Sequence, residues 1–179
     1  MKLTLRKPAT PLDWLSIRLL YRQAFPRCER KPFKIIRRMQ REGHSDVWLA
    51  ESDGRFAGMA ATINGGETIL LDYFAVVKKL RSQGVGSAFL QALLTQYAGR
   101  GLFVEIEAAD RDDPIGEKRR RKAFYLRNGL NDMQVTAILF GVRMQLLGRG
   151  CQMDFDGYRA FYHDHYNAWA AEHVLRPKD

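Results

Sequence analysis

Three groups of residues in this chain have types and spacings that chemistry could use. The first is the run Arg81-Ser82-Gln83-Gly84-Val85-Gly86-Ser87. Its glycines let the backbone approach a bulky anion that a Cβ would hold off. The first turn of a following helix offers free N–H groups and a partial positive charge. Lys78, Lys79 and Arg81 add cationic charge at the rim. Such a run can grip a phosphate or diphosphate, although a bare Gly-x-Gly is more often a tight strand-to-helix turn. No Gly-Lys-Ser/Thr follows, as a P-loop requires. A third glycine and an acid placed for a ribose, the marks of a dinucleotide fold, are also missing.

The second group is a set of carboxylates. Glu105 and Glu107 lie two residues apart in Val104-Glu105-Ile106-Glu107, so on a strand they share one face. Two carboxylates on an interior strand are costly to leave unpaired. Either one takes a proton from a substrate, or they pair with Arg119, Arg120 or Arg121. Asp72, in the long apolar run from Thr68 to Val77, is a reserve. The third group is one phenol, Tyr125, which can donate a hydrogen bond and then a proton, or can simply pack beside Phe124. Other reactive residues form no constellation. His163 and His165 lack further ligands at metal-binding spacing. Cys28 and Cys151 form no CxxC and no disulfide or zinc framework. The run Arg119-Arg120-Arg121-Lys122 reads first as a solvated helix face.

Elements must position these groups. Leu3 and Leu5 alternate with Lys2, Thr4 and Arg6, as in a half-buried strand. Thr10-Pro11-Leu12-Asp13 is a helix start, and Trp14, Ile17, Tyr21 and Ala24 follow at helical spacing up to Pro26. A second short helix is expected from Pro32 to about Arg41. Strands at 47–50 and 56–61 flank the turn Ser52-Asp53-Gly54-Arg55, and Asn64-Gly65-Gly66 turns into the long strand at 68–77. Val85, Phe89, Leu93 and Tyr97 put one apolar face on a helix from Gly84 to about Tyr97. A strand at 102–108, a charged loop at 110–116, a helix at 117–127 and strands at about 133–140 and 142–147 complete the pattern. Tyr158, Phe161, Tyr162, His165 and Trp169 give a last helix an aromatic face. This order predicts a mixed sheet of about seven strands with helices on both faces.

Arg81-x-x-Gly84-x-Gly86, after a strand ending Phe74-Ala75-Val76, resembles the central motif of the GNAT superfamily of N-acetyltransferases, and Phe124-Tyr125-Leu126-Arg127-Asn128-Gly129-Leu130 resembles that family's FYxxxGF motif, with Leu130 in place of the usual aromatic. The resemblance covers about residues 1–140. It implies a mixed α/β fold with a mostly antiparallel central sheet. It also implies an enzyme that moves an acetyl group from acetyl-CoA to a primary amine of a small molecule or peptide, with no metal. Ala75, Val76 and Val77 would pair with the pantetheine arm, and Arg81, Ser82, Gln83, Gly84, Val85, Gly86 and Ser87 would hold the diphosphate. Tyr125 would be the acid. Val104-Glu105-Ile106-Glu107 resembles the strand that carries the base in ribosomal-protein alanine acetyltransferases. That similarity assigns the base to Glu105 and places Glu107 and Asp72 at the acceptor pocket.

Composition bounds the rest. The chain has 179 residues, 46% hydrophobic and 27% charged, which suits one soluble domain. Residues 1–140 would form its core, with 141–179 a strand and aromatic helix packed on it. The N-terminus is too polar for a signal-peptide core, and no apolar run approaches the roughly 20 residues of a membrane helix. With unpaired cysteines, this reads as cytoplasmic, with no membrane partner. The net charge of +9 draws polyanions without choosing among them. A non-catalytic acyl-CoA-binding module is the alternative reading. A nucleic-acid-binding protein ranks behind it, because the basic run lacks stacking aromatics. An aromatic C-terminal helix and an exposed sheet edge would allow a homodimer.

Overall fold

Local chemistry sets the first helix. In the computed structural model, which describes residues 2–109 and 113–177, β1 (Leu3–Arg6) leads into α1 (Pro11–Ala24). Thr10 Oγ1 accepts from Asp13 N at 3.1 Å, and Asp13 Oδ2 accepts from Thr10 N at 3.0 Å. This reciprocal cap satisfies two backbone donors at the helix start. Arg6 then clamps the Asp13 carboxylate through two contacts of 2.8 Å. After a 3-10 turn at Arg27–Glu29 come α2 (Phe33–Arg41), β2 (Ser45–Ser52), β3 (Arg55–Gly65) and β4 (Thr68–Val76). A second 3-10 turn, Lys78–Leu80, precedes α3 (Val85–Gln96) and β5 (Gly101–Glu107). The remaining elements are α4 (Glu117–Arg127), β6 (Asn131–Leu139), β7 (Val142–Arg149), α5 (Phe155–His165), α6 (Ala168–Glu172) and β8 (Val174–Leu175). Residues 110–112 of the expected charged loop lie outside the described residues.

The fold is mixed α/β with a mostly antiparallel open sheet of eight strands, hydrogen-bonded in the order β1-β2-β3-β4-β5-β7-β6-β8. β4 and β5 are parallel, pairing Thr68–Leu70 with Gly101–Phe103. The pairs β1–β2, β2–β3, β5–β7, β6–β7 and β6–β8 are antiparallel. The chain forms two compact units: Met1–Asn64 with Leu71–Ala98, and Gly65–Leu70 with Gly99–Asp179. Residues 141–179 belong to the second.

The first unit has three layers. Ile17, Leu20 and Tyr21 of α1 and Ile36 of α2 share a buried cluster with Val47, Leu49, Met59, Ala61, Tyr73 and Ala75. The alternate positions on these strands must face the other way. There α3 packs, with Phe89 4.8 Å from Phe74 and Tyr97 6.2 Å from Trp48 between ring centroids. The helical face read from the sequence is the buried one: Val85, Phe89, Leu93 and Tyr97 are at most 5% exposed. Gly58 makes the α3 contact close, since a Cβ there would lie 2.6 Å from Ala75 O and 3.0 Å from the Phe89 ring.

In the second unit, α5 lies against β5. Phe161 meets Phe103 edge-on at 5.1 Å, and a Cβ on Gly65 would lie 2.3 Å from the Phe161 ring. The single aromatic helix expected at the C-terminus is two helices. Asn167 caps a new start by accepting from Ala170 N at 2.8 Å. Trp169, 60% exposed, therefore stands on α6 and packs, tilted, against Phe140 and His173 rather than extending the α5 face. The eighth strand, β8, has only two residues, pairing with Ile138 and Leu139, too few to leave an alternating pattern. Among the described residues, no helix is long and apolar enough to cross a membrane.

Candidate active site

The glycine turn stands open in the first unit. β4 ends buried at Ala75 and Val76, and Val77 N donates to Ala57 O at 2.9 Å, which fixes the strand end. Arg81 Nε donates to Val76 O at 3.2 Å, and Gln83 Nε2 donates to Lys79 O at 2.7 Å. Arg81 thus braces the end of β4 as well as bringing charge to the turn. Ser82 and Gly84 both adopt left-handed backbone, at φ 61 and 80. Gly84 is the helix cap, and nothing lies within 4 Å of where its Cβ would stand. Conformation, not crowding, is what calls for glycine there.

No side chain caps the start of α3, and no acid lies in its first turn. The first intrahelical bond is Ala88 N to Gly84 O at 3.0 Å. The N–H groups of Val85, Gly86 and Ser87 therefore open at the helix mouth. Arg81, Ser82, Gln83 and Gly84 are exposed, while Val85 anchors the turn at 2% exposure. A helix mouth with free N–H groups, a positive dipole end and no competing carboxylate suits an anion.

The carboxylates have acquired partners. In the second unit, Glu105 and Glu107 share one face of β5, as their spacing predicts. Glu105 Oε2 accepts from Tyr162 Oη at 3.0 Å. Tyr162 is 5% exposed and stacks on Tyr166 at 4.8 Å. Glu107 pairs with Lys118 at 2.9 Å, a residue adjacent to the arginines expected for that role. In the first unit, Lys31 Nζ holds both oxygens of Asp72, at 2.8 and 2.6 Å. Sequence reasoning missed Tyr162 and Lys31 as partners, because they lie 57 and 41 residues from the carboxylates they meet. The aromatic face of the last helix was visible, but not what it would touch.

Tyr125 packs edge-on against Phe124 at 5.2 Å and is 8% exposed. Burial pushes its phenol up to about 12, against an opposing pull from Arg121. It therefore stays protonated, and able to donate, throughout the neutral range. The basic run on α4 is locally matched. Arg119 pairs with Asp113 at 3.6 Å, Arg121 with Glu117 at 3.5 Å and Lys122 with Asp132 at 2.8 Å. His163 meets Asp164 at 2.9 Å.

Comparison with known proteins agrees with this fold. A family model described as the acetyltransferase (GNAT) family matches residues 14–127. None of the curated proteins matches the chain. Among solved structures, a GNAT-family protein from Bacteroides thetaiotaomicron superposes with a TM-score of 0.78 at 18% identity, covering 96% of this chain and 99% of that one. The ribosomal-protein-S18-alanine N-acetyltransferase from Escherichia coli gives 0.62 at 18% identity, over 85% and 96%. An aminoglycoside 6'-N-acetyltransferase complexed with coenzyme A gives 0.63 at 14% identity, over 83% and 96%. Identities this low show likeness of fold. The family model spans well over half of the 179 residues and ends beyond Tyr125, and the chain belongs to the GNAT family of acetyltransferases.

Proposed function

We propose that this chain transfers an acetyl group from acetyl-CoA directly to a primary amine of a small molecule or a peptide. The reading rests on one observation above others: the open mouth of α3 at Gly84, with no side-chain cap, one short turn after the buried end of β4. In this reading the N–H groups of Val85, Gly86 and Ser87 hold the diphosphate. Lys78 and Lys79 add charge, and the backbone of Ala75, Val76 and Val77 aligns the pantetheine arm. Glu105 takes the proton from the amine. The amine nitrogen bonds to the thioester carbonyl carbon, the carbon–sulfur bond breaks, and Tyr125 gives its phenolic proton to the departing thiolate. The phenol is protonated at neutral pH and so has a proton to give, although burial makes it a weaker acid than a free tyrosine. Tyr162 is a positioning residue, since its hydroxyl fixes which way the Glu105 carboxylate points. Glu107, whose charge is shared with Lys118, shapes the acceptor side. Cys28 and Cys151 are both free thiols, in keeping with a reducing cytoplasm.

Acetyl-CoA should raise Tm by several degrees through ligand linkage; an unchanged Tm at millimolar acetyl-CoA counts against the cradle. Thiol release in a screen of amines and peptides should fall by about 100-fold or more in both Tyr125→Phe and Glu105→Gln, with acetyl-CoA binding retained. Full activity in either variant removes that residue from the mechanism.

A further inference from the structure

Nearly all of the net charge sits in one short stretch. Residues 18–41 hold nine Lys and Arg against a single acid, Glu29, whereas the whole chain has 29 against 20. The rest of the molecule is therefore close to neutral. Within the first unit, this stretch surrounds a cleft of about 280 Å³. Arg18, Arg22, Arg27, Arg30 and Lys31 line it, with the rings of Tyr21 and Phe33, 5.9 Å apart, as its apolar wall.

The frame of the cleft is built rather than loose. Tyr21 Oη donates to Lys31 O at 3.1 Å. Tyr73 Oη donates to Glu29 O at 2.9 Å and accepts from Lys31 N at 3.1 Å. The two tyrosines are themselves edge-on at 4.8 Å. The backbone carrying Arg27 and Arg30 is thus tied to a buried aromatic pair. Lys31 spends its charge on Asp72. Arg18, Arg22, Arg27 and Arg30 make no ion pair with a carboxylate among the described residues. Four guanidinium groups around one small concavity repel each other unless an anion joins them, and the planar fork of arginine matches phosphate and carboxylate oxygens. The size is near the lower end of small-molecule sites.

We propose that this cleft binds a small, multiply charged phosphate or polycarboxylate, at residues distinct from the glycine turn that opens α3. The assignment stands whether or not Glu105 and Tyr125 carry the transfer.

Calorimetric titration of the full chain with inorganic pyrophosphate, and separately with citrate, tests this at physiological salt with and without excess CoA. At least one anion should bind, and should still bind in the presence of CoA; whichever binds identifies phosphate or carboxylate as the chemistry. Arg22→Gln with Arg27→Gln should weaken that binding by about tenfold or more. Arg38→Gln with Arg41→Gln removes the same charge from the same stretch but outside the cleft, and should change it by less than about twofold. Both pairs alter exposed side chains, so Tm without anion should hold or rise. No binding of either anion overturns the proposal, as does competition by CoA or an equal loss in the two pairs. Tight binding of a short RNA, equally weakened by both pairs, would make the stretch a nucleic-acid face instead and also overturn it.

Discussion

As sequence, Lys118–Lys122 on α4 and the arginines between residues 18 and 41 look alike: dense positive charge on helices. In the folded chain they differ. On α4, Lys118, Arg119, Arg121 and Lys122 each meet an acid, namely Glu107, Asp113, Glu117 and Asp132. Around the cleft of the first unit, only Lys31 does so among the described residues. The lesson is that a run of cations does not mark an anion site. The local supply of carboxylates decides whether the charge is spent within the fold or offered outward. The denser run in the sequence is the one mostly matched within the fold.

The contrast can be broken at several points. The largest effect is expected at Asp72→Asn, which strips Lys31 of a carboxylate that is 11% exposed. Stability should drop by about 2 kcal/mol, read from the denaturant midpoint. Pyrophosphate affinity of the cleft should rise severalfold, because a fifth cation is released into it. A cleft indifferent to this change would mean that Lys31 does not share in its field.

Asp132→Ala comes next. Its Oδ2 accepts from Lys122 at 2.8 Å and from Gln145 at 2.7 Å, and about 1.5 kcal/mol should be lost. In the Arg22→Gln, Arg27→Gln background this change should also give α4 a weak, salt-sensitive affinity for pyrophosphate. If α4 gains none, neutralisation is not what silences it.

Asp13 offers a pH test. The Arg6 guanidinium, followed by the N–H of Thr10, holds its carboxyl well below the usual carboxylate range. Its folded pKa lies under its unfolded one, so the stabilisation is complete above the ordinary carboxylate range and is lost as pH falls through the folded value. Asp13→Asn should flatten the acid limb of the stability profile and cost about 1 kcal/mol near neutrality, discounted for the partly exposed Arg6. An unchanged acid limb would show the clamp to be inert. The smallest effect belongs to Glu117→Gln. Its pair with Arg121 is exposed and spaced i,i+4, so less than about 0.5 kcal/mol should be lost in thermal unfolding.

Much of the fold was legible because local rules and tertiary packing agreed. Thr10-Pro11-Leu12-Asp13 encodes its own cap, and Val85, Phe89, Leu93 and Tyr97 encode a buried face by spacing alone. The glycine turn was readable for the same reason, since the left-handed backbone at Gly84 calls for glycine. What stayed hidden depends on long-range meeting. Nothing near Glu105 in sequence announces Tyr162, and nothing near Asp72 announces Lys31. The break between α5 and α6 escaped because Trp169 continues the aromatic spacing of α5, while Asn167 starts a new helix between them. The arginine cleft had a usable sign, a running sum of charge along the chain, but the whole-chain +9 averaged it away.

Gly65 carries a consequence for how the tail could be exchanged. Phe161 can seat where it does because Gly65 has no side chain, since a methyl there would overlap the ring. The next residue, Tyr162, holds the Glu105 carboxylate. The last residue of β3, nearly a hundred positions upstream, thereby bears on the aim of a carboxylate through one phenyl ring. Transplanting the last two helices onto another chain would require a glycine at that strand end to travel with them; without it the tyrosine would arrive out of register with its acid.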